Sequence, residues 1–234
     1  FAYVQVIYPS KPRFKLGQLA AHVVVALIAL VVIGGATRVM EAGLACPDWP
    51  LCYGSLLPGR QMNLQVFLEW FHRLDAFFVG IVLITQFLLS LYWSKSLPKW
   101  LPWIYGLLAL LVAFQGLLGA LTVLQLLPSL IVVAHLAVAF TLVGIMSGVT
   151  QQLLSPGKSI FPTWLRTLGF ISLFSVIIQS LMGSRVATSW AAHRCLDFGD
   201  SCNLLVLHRT SALPVSFLVL SFVIISFAVR DIFL

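Results

Sequence analysis

Six apolar stretches, at about residues 16–37, 66–93, 101–124, 130–153, 161–183 and 204–229, leave this chain few folds to adopt. Each is long enough to cross a hydrocarbon layer that takes about 20 helical residues. In lipid every backbone N–H and C=O must be bonded within the protein, so runs of this kind become α-helices. Charged residues make up 9% of the 234, where a soluble domain carries about a quarter. The expected fold is all-α, a polytopic membrane protein.

The connections between the stretches alternate in charge. The N-terminal arm (Lys11, Arg13, Lys15), the loops near 94–100 (Lys95, Lys99) and 154–166 (Lys158, Arg166), and the C-terminal end (Arg230) hold eight Lys or Arg against one acid, Asp231. The opposite set holds six Arg, no Lys and six acids. The excess of basic residues on one side predicts a cytoplasmic N-terminus, with the long loops 38–65 and 184–203 outside. The net charge of +7 is accounted for by this bias, and nucleic acid is not an expected partner. All four cysteines fall in the outer loops, as Cys46 and Cys52, then Cys195 and Cys202. An exported compartment permits a disulfide in each pair. Free thiols are the other reading; zinc is disfavoured because neither pair has C-x-x-C spacing.

The outer loops reveal a tandem repeat. GATRV (35–39) and GSRV (183–186) each precede a long loop with one cysteine pair, and each loop leads to a His-Arg dipeptide, His72-Arg73 and His208-Arg209. The repeating unit reads as four helices, so residues 1–153 form a first half and residues 154–234 the opening of a second. His135, in the fourth stretch, completes a pair with His72. The second half is expected to supply a counterpart for His208 on helices beyond residue 234.

His72, His135 and His208 each lie a few residues below the outer end of a helix running inward, roughly 6–10 Å deep. One intramembrane histidine is readily explained by a hydrogen bond to a neighbouring helix. Three at one depth, two of them repeat-equivalent, match the way facing helices supply the two axial ligands of a haem iron. His22 lies near the opposite end of its helix and reads as structural, and His193 as a solvated loop residue. Arg38, Arg73, Arg185 and Arg209 lie at the level of the histidines. They suit anionic propionates, and equally suit interfacial snorkelling.

EWFHRLD (69–75) places two carboxylates around the first histidine. Glu69 and Arg73 have the spacing of a helical ion pair. The second half keeps His-Arg but has Leu205 and Ser211 where the first has Glu69 and Asp75. The two halves are therefore expected to differ, with chemistry in the first and electron relay in the second.

Taken in order, GGATRVMEAGLACPDWPLCYG, EWFHR, VVAHLAVAF, a second cysteine loop and LHR resemble the haem A synthase family of respiratory-oxidase assembly. The resemblance implies eight helices in two four-helix halves, six of them visible in this chain. It implies oxidation of the ring methyl of haem O to a formyl group, giving haem A for terminal oxidases. His72 and His135 would ligate the substrate haem, His208 would be one ligand of a haem b cofactor, and Glu69 would be the catalytic carboxylate. Glu69 would stabilise positive charge on the porphyrin or orient a water. Implied partners are haem O and haem A, the haem O synthase, oxidase assembly factors, membrane lipid and a second copy of the chain. A bacterial plasma or thylakoid membrane is the implied location. A di-haem b-type cytochrome that only carries electrons is the competing reading, ahead of a thiol oxidoreductase or an assembly subunit.

Overall fold

A computed structural model describes residues 11–155, 162–188 and 202–233. Among these residues are six long helices: α1 (Lys11–Val39), α2 (Leu64–Tyr92), α3 (Leu101–Leu124), α4 (Ser129–Leu154), α5 (Thr163–Thr188) and α6 (Asn203–Phe233). All six are long and apolar enough to cross a membrane. The protein is an integral membrane protein of all-α class. The helices match the expected stretches to within a few residues, except that α1 already begins at Lys11 and α5 runs on to Thr188. Gly183 and Arg185 therefore sit within the helix rather than closing it.

The chain divides into two compact units, one of Phe1–Leu127 with Ala137–Pro156, the other of Pro128–Leu136 with Gly157–Leu234. In the first, Leu16, Ala20, Val23 and Leu27 of α1 form one buried stripe at helical spacing. Leu142, Met146, Val149 and Leu153 of α4 form another. They pack with Val79 and Leu83 of α2 and with Leu101, Tyr105 and Leu108 of α3. Lipid is as apolar as leucine, so close contact rather than water exclusion holds such a bundle together. Gly17 permits one such approach: a Cβ there would lie 2.7 Å from Leu154 Cδ2.

The link between α1 and α2 is ordered at both ends. The Thr37 carbonyl accepts from Ala42 N–H (2.7 Å), which closes α1. Asn63 caps α2 by accepting from Val66 N–H (2.9 Å), satisfying one of the donors a helix start leaves open.

In the second unit α5 packs along α6. Thr188, the last residue of α5, donates its hydroxyl to Ser129 Oγ (2.8 Å), the first residue of α4. That bond ties the opening turns of α4 to this unit. α6 continues through Pro214 although proline removes one backbone bond.

Candidate functional site

His72 stands eight residues into α2, His135 six into α4 and His208 five into α6, counted from the first helical residue. At 1.5 Å per residue these positions are about 12, 9 and 8 Å along their helices, within one turn of each other. All three side chains are half-buried. His72 belongs to the first unit, whereas His135 lies in the short stretch that groups with the second.

The same packing device serves His72 and His208. Gly34 of α1 lies against the His72 ring: a Cβ there would be 3.1 Å from Cε1 and 3.6 Å from Nε2. Gly183 of α5 lies against His208, where a Cβ would be 2.8 Å from Cε1 and 3.1 Å from Nε2. Each histidine thus presents its Nε2 edge to bare backbone on the preceding helix. Nδ1 of His208 is buried and, among the described residues, without a hydrogen-bond partner. His22 contrasts with it, since its Nδ1 is 2.7 Å from the Gln18 carbonyl on its own helix. A haem ligand needs an uncommitted imidazole and room beside it for a flat macrocycle. His208 meets the first of those needs through its unpartnered Nδ1, and the glycines at 34 and 183 keep Cβ atoms away from both rings.

Below His208 the two helices are cross-linked. Gln179 Nε2 donates to the His208 carbonyl (2.7 Å), and Ser211 Oγ donates to Gln179 Oε1 (2.8 Å). Gln179, Met182, Leu207 and Ser211 line a groove of about 260 Å³ between α5 and α6.

Around His72 the carboxylate and the cation are both engaged. Glu69, 5% exposed, accepts from Cys46 N–H at 2.8 Å through Oε2. Its Oε1 accepts from Arg73, in the ion pair that the spacing predicts. Arg73 Nη1 also donates to the carbonyls of Asp48 and Leu51 (both 2.6 Å), and Nη2 to that of Cys46 (3.2 Å). Both terminal nitrogens of Arg73 are thereby committed to the 46–51 loop, which leaves little of the guanidinium for a propionate. The loop itself is closed by the Cys46–Cys52 disulfide, with Cα atoms 4.8 Å apart. Cys46, Cys52 and Val66 form a small buried cluster with Trp70, whose Nε1 donates to the Leu56 carbonyl at 2.5 Å. Asp48 turns the loop by accepting from Tyr53 N–H (2.6 Å) and Gly54 N–H (2.8 Å). These bonds, that from Gly54 foremost, hold its carboxyl below the ordinary aspartate value.

Arg38 is half-buried, whereas Arg185 and Arg209 are exposed. Cys202 is disulfide-bonded; Cys195 and His193 lie outside the described residues. Sequence reasoning missed Gly34 as a histidine seat, Gln179, and the backbone acceptors of Arg73. The glycine pair opening GGATRV was the one available signal.

Comparison with known proteins gives the same direction. A family model described as cytochrome oxidase assembly protein (COX15-CtaA) matches residues 18–230. The heme A synthase of Shewanella oneidensis is 30% identical over 189 residues, covering 72% of this chain and 56% of that protein. That of Rhodopseudomonas palustris is 27% identical over 213 residues, covering 76% and 58%. That of Exiguobacterium sibiricum is 24% identical over 190 residues, covering 79% and 63%. The chain thus spans a little over half the length of these relatives.

Proposed function

The chain belongs to the COX15-CtaA family of cytochrome oxidase assembly proteins, and on that premise we propose that it is an oxidoreductase that converts haem O to haem A for terminal oxidases. The reaction is a repeated oxidation of one ring methyl carbon to a formyl group. In this reading residues 1–153 hold the substrate haem through His72 and His135, and residues 154–234 contribute His208 to a haem b. The observation that carries it is the repeated pairing of a ligand histidine with a glycine, His72 with Gly34 and His208 with Gly183. The same device in both units supports a common origin for the two histidine sites.

Bound haem b would supply one-electron redox chemistry. The side chains supply the rest. His72 and His135 orient the substrate by its iron. Glu69 and Arg73 hold the disulfide loop against the outer part of α2 beside His72, and so keep water from the ligand. With both carboxylate oxygens occupied, Glu69 acts in this reading through the loop it anchors. Arg38, Arg185 and Arg209 are the proposed propionate contacts. The N-terminus and basic loops lie in the cytoplasm, and the cysteine loops lie outside a bacterial plasma or thylakoid membrane. The haem O synthase, oxidase assembly factors and a second copy of the chain are proposed partners.

Haem extraction from the purified protein tests the proposal. Haem O, haem A or an alcohol intermediate alongside haem b supports it. Haem b alone identifies an electron carrier without porphyrin chemistry.

A further inference from the structure

Asp75 has no role in the reading above. It is half-buried, three residues beyond His72 on α2. That spacing sets it about 60° around the helix from His72 and about 4.5 Å deeper. An ionisable side chain at such a depth is costly and marks a functional site by default. Among the described residues no hydrogen bond or ion pair satisfies the Asp75 carboxylate. The nearest cation on its own helix, Arg73, is committed to Glu69 and to three loop carbonyls.

The second unit shows what a satisfied residue at this place looks like. Ser211 stands three residues beyond His208, as Asp75 stands beyond His72. Its hydroxyl has two acceptors within reach, Gln179 Oε1 of α5 at 2.8 Å and the Leu207 carbonyl of its own helix at 2.6 Å. Gln179 lies one turn before Gly183, the glycine seated on His208. One turn before Gly34, the corresponding place on α1 is Leu30, a partly buried apolar residue. The first unit therefore substitutes a carboxylate for a hydroxyl and removes its partner.

We infer that Asp75, uncompensated beside His72, sets the charge around the haem of the first unit; the inference rests on the reading of His72 as a ligand. Oxidation of a haem iron held by the neutral imidazole of His72 would add positive charge there. A fixed carboxylate in a medium of low dielectric favours that oxidised form. The first-unit haem then has a lower potential than Ser211 would give it.

Potentiometric titration of the full chain, followed by haem absorbance, tests this. Asp75→Asn is expected to shift the one-electron equilibrium of the first-unit haem about tenfold toward the reduced form, ~59 mV. Asp75→Ser, which installs the residue of the second copy, is expected to do the same and covers a failure of the Asn variant to fold. Asp75→Glu is expected to retain the native potential, which a purely space-filling role would not require. Native potentials in both Asn and Ser variants would overturn the role of Asp75. His72→Ala identifies which haem is being read. If that variant kept its full haem complement, the ligand reading itself would fall, and the inference with it.

Discussion

The backbone N–H of Cys46 donates to the Glu69 carboxylate at 2.8 Å across 23 residues of sequence. It joins the outer disulfide loop to the helix that carries His72. Removing the carboxylate leaves the buried Cys46 N–H without its acceptor and Arg73 without its counter-charge. Glu69→Ala should cost about 3 kcal/mol, the scale for breaking a buried ion pair from one side. The loss should be local. Under mild reductant, the Cys46–Cys52 bond should open and its thiols alkylate at least tenfold faster than in the native protein. Unchanged labelling would separate Glu69 from the loop.

Arg73 is expected to resist conservative replacement. Its planar fork reaches three carbonyls and a carboxylate, and a lysine ammonium cannot span that set. Arg73→Lys should loosen the loop nearly as much as Arg73→Ala, read as proteolytic cleavage between residues 46 and 56. Arg209→Lys, at the exposed repeat-equivalent position, should leave cleavage at the native rate.

The glycines beneath the histidines should differ in tolerance. A Cβ at Gly183 would stand 2.8 Å from the His208 ring, closer than real contacts allow, while at Gly34 the gap to His72 is 3.1 Å. Overpacking of this kind costs ~1–3 kcal/mol. Gly183→Ala should lower haem retention about tenfold, and Gly34→Ala by less. An equal or reversed order, measured as haem per protein after purification, would contradict the packing argument.

Much of the fold was legible because lipid imposes a simple rule on sequence: about 20 apolar residues make one helix. The end of α5 was not, since Gly183 and Arg185 look like a boundary while the helix runs on until the Thr188 hydroxyl meets Ser129. In the candidate site, the Glu69–Arg73 pair could be read from i,i+4 spacing. The other partners of those side chains could not, because a backbone carbonyl carries no signature in the residue that owns it. Likewise GSRV and GATRV align by their arginines, yet the glycines that touch histidine are Gly183 and Gly34, two and four residues before them. Helical phase, which depends on how the helices cross, decided that difference.

The outer loop should also respond to acid. The folded Asp48 carboxyl titrates below the ordinary value of 3.8, chiefly because of the Gly54 N–H. A depressed folded value stabilises the turn above the unfolded value and loses that stability as pH falls through the folded one. Exchange protection of the Tyr53 and Gly54 amides should therefore persist from neutral pH to about 4 and decline below it. Asp48→Asn should show weaker protection with little dependence on pH over the same range.

The pairing of His72 with His135 on one substrate haem is tested most directly by counting haem in variants of the full chain. Purified His72→Ala, His135→Ala and the double variant should each lose the same haem, so that the double variant retains as much as either single one. The surviving spectrum should be identical in all three. Additive losses, or a His135→Ala protein with native haem content and a native low-spin spectrum, would contradict the account.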